Sequence, residues 1–182
     1  LYQAYYGTVN TTVKLLVSES VGVRGLGRVL KIARGTVLNR IKAIADQISK
    51  PALSGSHPIV EVDELWTYMG RKENEYWPAY ALNKETRKVI DFVIGKRTKG
   101  TLKILIDSIL ASRPKKIRTD KLTIYKRLIP PNLHRCGAYC INHIERKNLS
   151  IRTHIKRLSR RTICFSRSLL LLESCLKIYF WG

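Results

Sequence analysis

The hydrophobic residues of this 182-residue chain change their period once, across Pro51-Ala-Leu-Ser-Gly-Ser-His-Pro58, and that change limits the fold more than any other feature. Ahead of it, Val23, Leu26, Val29 and Leu30, then Val37, Leu38, Ile41, Ile44, Ala45 and Ile48, recur at helical spacing. Beyond it, short apolar runs alternate with amphipathic stretches. The pattern predicts a helical region over 1–50, a linker at 51–58 and an α/β domain over 59–182.

Within the α/β domain, residues 59–63 read as a strand and 77–82 as a second, with Asn83-Lys84-Glu85-Thr86 as a turn and 88–94 as the strand that returns. Residues 98–111 place Leu102, Leu105, Ile106 and Ile109 on one side of a helix. Pro114 breaks the chain before a short strand at 116–120. A helix over 122–128 stops at Pro130-Pro131, and a further strand falls around 133–140. A strongly basic helix is expected over 141–158 and a last amphipathic one over 166–179. Three antiparallel strands, then alternating helices and strands, match the ribonuclease H-like fold: a mixed sheet with helices packed on it.

The N-terminal region is expected to hold a helix-turn-helix at about 21–48. Its second helix carries Arg34, Thr36, Asn39 and Arg40 as candidate DNA contacts. Lys31 and Ala33 stand where the turn often has a Gly and the second helix a Ser or Thr cap. Charge narrows the partner. Lys and Arg number 34 against 13 Asp and Glu, a formal charge of +21. Such an excess repels itself unless a polyanion offsets it, and double-stranded DNA is the first choice because neutralised phosphates release counterions. The basic residues are scattered and no run of 18 apolar residues exists, so a membrane is not expected as partner. No signal peptide precedes the four cysteines, which read as reduced thiols of a cytoplasmic protein. Cys136, Cys140 and His143 lack the second close pair that a structural zinc site requires.

In so basic a chain, the positions of the acids are informative. Asp63 falls at the end of the first strand, Asp120 at the end of the strand after the first crossover helix, and Glu145 near the start of the basic helix. In a ribonuclease H-like sheet those two strands are neighbours, so both Asp residues meet and the helix can lay a Glu beside them. Three carboxylates suit magnesium, which wants hard oxygen ligands, and two such ions can assist both the attacking and the leaving oxygen of a phosphodiester. Manganese can substitute. Glu64 is a weaker fourth ligand, because its side chain should leave the strand on the face opposite Asp63. Taken singly, Asp63 can be a strand-end cap, Asp120 a helix cap and Glu145 a partner for a neighbouring cation. After Glu145 come Arg146, Lys147, Arg152, Lys156, Arg157, Arg160 and Arg161, with positions 145, 148, 152 and 156 on one helical face. Arg146, Asn148, Arg152 and Lys156 are therefore candidate DNA contacts.

The strings V62-D-E-L-W-T-Y-M-G, T119-D and I144-E-R-K-N-L-S-I-R-T-H-I-K-R-L-S-R-R-T resemble the transposases of the IS1 family of bacterial insertion sequences, and the resemblance covers residues 21–182. It implies a ribonuclease H-like domain with a DDE triad, magnesium dependence and an N-terminal DNA-binding region. The triad carries over onto Asp63, Asp120 and Glu145, while Arg146 and Asn148 match the motif beside the Glu. The family usually has a Cys-rich zinc finger ahead of the helix-turn-helix, which these residues do not include, and often a Gly where Lys121 stands. The expected activity is metal-dependent cleavage and strand transfer of element DNA, performed by a homo-oligomer on DNA. A nuclease of the same fold without strand transfer, and a non-catalytic DNA-binding regulator, are the rival functions.

Overall fold

The computed structural model describes residues 7–51, 58–137, 139–159, 162 and 164–182. The chain forms two compact units, one of Lys50–Ser150 and one of Leu1–Ser49 with Ile151–Gly182. Most of the expected linker lies outside the described residues.

In the second of these, α1 (Gly7–Ser18), α2 (Val23–Leu30) and α3 (Arg34–Asp46) bury one side each. Val13, Val17, Leu26, Val37, Ile41 and Ile44 meet in one core, as the helical spacing requires. The turn between α2 and α3 uses Lys31 where a Gly is usual. Lys31 adopts a left-handed conformation (φ 53°), and its N–H closes onto the carbonyl of Gly27. The N–H of Ile32 reaches the same carbonyl at 3.1 Å. A side chain at that φ costs about 1–2 kcal/mol, which the buried Leu26 and Val37 on either side offset.

The other unit is built on one sheet. Its strands are β1 (Ile59–Glu64), β2 (Thr67–Met69), β3 (Arg71–Asn83), β4 (Val89–Gly95), β5 (Lys116–Thr119) and β6 (His134–Cys136). β3 runs antiparallel to β1, β2 and β4; β5 runs parallel to β1 and to β6. Across the sheet the order is β4-β3-β1-β5-β6, with β2 also on β3. This is the ribonuclease H-like arrangement, a mixed sheet in which the first and fourth main strands are neighbours. The β2–β3 hairpin was not expected. Arg71-Lys-Glu-Asn-Glu75 is exposed along its whole length and shows no alternation, so nothing in its pattern marks a strand. Gly70, at φ 72°, makes the tight turn between β2 and β3.

Alternation places Val60, Val62, Ala79, Ala81 and Ile117 on one face of the sheet. There they pack on α4 (Lys99–Ala111) through Leu102, Leu105, Ile106 and Ile109, and on Tyr125 of α5 (Thr123–Leu128). Thr98 caps α4 by accepting the N–H of Thr101. The opposite face carries Glu61, Asp63 and Tyr80, and α6 (Asn142–His154) is tied to it.

The basic helix is shorter than expected. α6 ends at His154, and Lys156–Leu158 is a separate 3-10 turn. The backbone leaves helical geometry at Ile155 (φ −119°, ψ 85°), and the hydroxyl of Ser20 lies within reach of the freed carbonyls of Thr153 and His154. Lys156 therefore does not continue the face of residues 145, 148 and 152. α7 (Leu169–Trp181), expected within the α/β domain, shares the core of α1–α3 through Leu171, Cys175 and Ile178. Among the described residues no helix is long and apolar enough to cross a membrane.

Candidate active site

Asp63 and Asp120 come together because β1 and β5 pair in parallel and both residues stand at the same end of the sheet. Glu64 joins them. One carboxylate oxygen of each of the three lies within 4.8 Å of the others. Glu64 does leave β1 on the face opposite Asp63, as the pleat demands. Both lie at the strand's end, however, so the side chains converge past the edge of the backbone.

Each carboxylate is held by named donors. Asp63 accepts the N–H of Glu64 at 2.9 Å and the side-chain amide of Asn148 at 2.7 Å. Asp120 accepts the N–H of Leu122 at 2.9 Å, which also starts α5. Its carbonyl receives the hydroxyl of Thr119 and the thiol of Cys136. The side chain of Glu64 is nearly inaccessible. It takes the Tyr125 hydroxyl at 2.5 Å on one oxygen and the Arg97 guanidinium at 3.1 Å on the other.

Burial dominates the electrostatics. It raises the Asp63 carboxyl to about 7, assisted by the charges of Glu64 and Asp120 and opposed by its two hydrogen bonds. Burial also raises Glu64, against the pull of Tyr125 and Arg97. The Tyr125 hydroxyl is pushed well up, first by burial and then by the charge of Glu64. Gathering like charge at a poorly solvated point is unfavourable unless a cation offsets it. Arg97 supplies one positive charge, 4.0 Å from Asp120 as well as bonded to Glu64. The remaining oxygens are hard donors of the kind magnesium and manganese take, so the residues fit a divalent ion.

A fourth carboxylate fixes the helix beside the site. Glu61, fully buried, accepts the N–H groups of His143 and Ile144 at the start of α6. Burial raises its pKa, while the Ile144 bond and the charge of Arg118 act in the opposite direction. A carboxylate at a helix N-terminus satisfies donors that the helix itself leaves unpaired. Tyr80 adds bonds to the Ile144 carbonyl and to Asn148.

The expected site residues fall in different places. Glu145 lies in the first turn of α6, exposed, one turn before Asn148 and outside the group of three close carboxylates. Asn148, expected on DNA, is buried. One end of its amide donates to Asp63 and the other accepts from Tyr80, so its place is to tie α6 to β1 and β3. Arg146 and Lys156 are exposed, and Arg152 is half-buried. On α3, Arg34 and Asn39 are exposed and Thr36 is half-buried, while Arg40 donates to Asn10 of α1 at 3.2 Å. Lys121 is exposed next to Asp120. Arg160 and Arg161 lie outside the described residues. Glu61, Arg97 and Tyr125 were not foreseen. Only Glu61 left a trace in the sequence, as an acid on the same strand face as Asp63 and two residues before it.

The chain is also similar to known proteins. Residues 58–180 match the family model of the IS1 transposase. The insertion element iso-IS1n protein InsB of Shigella dysenteriae is 39% identical over 110 residues, 60% of this chain and 84% of that protein. The IS1 protein InsB of Shigella flexneri is 35% identical over 59% of this chain and 82% of its own. An InsB protein of the IS1 2 element of Escherichia coli K12 is 34% identical, over 63% and 70%. Among solved structures, a chain of the simian T-cell lymphotropic virus intasome in complex with PP2A regulatory subunit B56 gamma aligns at TM-score 0.43 and 19% identity, over 78% of this chain and 58% of that one.

Proposed function

The chain belongs to the IS1 transposase family, and we propose that it cuts DNA at the ends of an insertion sequence and joins the freed ends to target DNA. The observation that supports this reading is the meeting of Asp63 and Asp120 at the end of two parallel neighbours, with α6 tied to Asp63 through Asn148. In the first step, water adds to a backbone phosphorus as the bond to the 3′ oxygen breaks, and that oxygen leaves as a hydroxyl. In the second, the 3′-hydroxyl attacks a target phosphodiester. One phosphorus–oxygen bond replaces another, so no outside energy source is required.

Asp63, Asp120 and Glu145 are the residues that would hold two divalent ions, magnesium with manganese as a substitute. Bound there, the ions supply Lewis acidity to the attacking and leaving oxygens. The chain's own contribution is placement. Asn148 and the N–H of Glu64 fix the rotamer of Asp63, and the N–H of Leu122 fixes Asp120. Glu61 and Tyr80 hold the start of α6, and so set where Glu145 can reach.

Double-stranded DNA, as element end and as target, is the partner that the +21 charge favours. In this reading α3 is the recognition helix, with Arg34, Thr36, Asn39 and Arg40 offered to the DNA. Arg146, Arg152 and Lys156 meet phosphates, and the protein works as a homo-oligomer on DNA in the bacterial cytoplasm. The test is incubation of a duplex ending in the DNA that flanks the gene with plasmid and magnesium. Joined products support the proposal. Nicks without joining leave a nuclease, and binding without either leaves a regulator.

A further inference from the structure

Arg97 precedes α4 in the loop after β4, and nothing in the triad accounts for it. It is nevertheless held in place from two sides. Its guanidinium lies over the ring of Trp77, 4.5 Å from the centroid, and Trp77 pairs with Gly95 in the β3–β4 ladder. One nitrogen bonds Glu64 at 3.1 Å and stands 4.0 Å from Asp120. A guanidinium has five N–H donors in a planar fork. Among the described residues one nitrogen is engaged by protein, and the side chain remains 36% exposed. Its neighbour Lys96 is occupied elsewhere, on the Tyr76 ring, Asn74 and the Glu75 carbonyl.

A cation needed only to balance buried Glu64 would be best fully covered. This one is stacked, aimed and left open beside the two Asp residues. A planar fork suits a phosphate's two non-bridging oxygens, and pinning by Trp77 and Glu64 removes most of the ordering cost of using it. We propose that Arg97 binds the non-bridging oxygens of the reacting phosphodiester, and that Glu64 is the positioning residue that aims it rather than a ligand to metal. This rests on the transposase reading for the identity of the phosphodiester. It also explains why a third carboxylate sits so close to Asp63 and Asp120 with both oxygens already bonded.

Two readouts test it. The first is binding, without turnover. The duplex carrying the element end is made with either an ordinary phosphate or a neutral methylphosphonate at the cleavage position, and affinity is measured in calcium. The parent should prefer the phosphate, and Arg97→Ala should level the two duplexes while binding the methylphosphonate as the parent does. The second is manganese binding to DNA-free protein, followed by electron paramagnetic resonance. Glu64→Gln should bind manganese as the parent does, whereas Asp63→Asn should bind it more weakly. In nicking assays Arg97→Ala should lose about 10²–10³-fold in rate, the usual effect of removing one aimed donor, and Arg97→Lys should recover only part of it. If Arg97→Ala keeps the parent's preference for phosphate, or Glu64→Gln loses manganese, the proposal is wrong. A parent that shows Arg97-dependent preference yet never nicks would count against the transposase reading and leave Arg97 as a phosphate contact.

Discussion

Replacing Asp63 with Asn should stabilise the metal-free protein by an amount that is absent below about pH 4, grows as pH rises and levels off above about pH 7. Burial lifts this carboxyl from 3.8 to about 7. A carboxyl whose folded pKa lies above its unfolded one stabilises the fold below the unfolded value, and that contribution is lost as pH rises through the folded value. Between about pH 4 and pH 7 the folded parent keeps a proton on Asp63 that the unfolded chain has released, and the cost grows until Asp63 ionises above about pH 7. The full shift corresponds to about 4 kcal/mol. Asp63 keeps partial contact with solvent, so about 2–3 kcal/mol is the expected size. The amide retains an acceptor for the Glu64 N–H, and Asn148 can turn its own amide to suit, since Tyr80 beside it both donates and accepts. Any residual cost of that exchange is the same at every pH. Thermal melts in chelator across this range, parent against variant, should give a difference in Tm that grows with pH to about 5–10 °C near pH 8. A pH-independent difference, or one that shrinks as pH rises, would refute the assignment of Asp63 as a buried carboxyl held at high pKa.

Magnesium should reverse the penalty, raising the Tm of the parent more near pH 8 than near pH 5, because metal competes with the proton at Asp63; equal stabilisation at both would argue that Asp63 is not a ligand. Glu61→Ala strips the acceptor from one buried and one half-buried N–H group at the start of α6 and should cost about 2–4 kcal/mol in urea denaturation, with Glu61→Gln losing less. A change under about 0.5 kcal/mol for Glu61→Ala would contradict the capping account. On α3, Arg34→Ala should weaken DNA binding; a base contact should cost about 1–3 kcal/mol and relax sequence preference, whereas a phosphate contact should lower affinity for all sequences alike. Unchanged affinity would remove α3 as the recognition helix.

The succession of the main strands was legible because it rests on alternation, which is local; that β1 and β5 are neighbours, with Asp63 and Asp120 at their ends, followed from the ribonuclease H-like pattern of that succession and not from any local signal. β2 and the first half of β3 were not, since Arg71–Glu75 is charged and exposed on both faces. The end of α6 at His154 was hidden for another reason. The freed carbonyls there are met by Ser20, distant in sequence, which no local pattern reveals. Asn148 looked like a surface residue in a basic run, and its burial comes from Tyr80 on β3, a partner no helical wheel contains. Arg97 sits in a loop one residue before a cap, where a cation is unremarkable until Trp77 and Glu64 are seen around it. α7 has the apolar content of any core helix, and periodicity cannot say which core it joins.

The most direct measurement is nicking and joining by Glu145→Gln, run beside DNA-binding titrations of the same protein. Glu145 is exposed at the start of α6, one turn from the Asn148 that grips Asp63. The change keeps the side chain's shape and removes only its charge. If the triad holds the catalytic ions, cleavage and strand transfer in magnesium should vanish while DNA affinity stays equal or rises slightly, one repulsive charge having gone. A Glu145→Gln protein that nicks at the parent rate would mean that Asp63, Asp120 and Glu145 do not act together, and the central claim would fail.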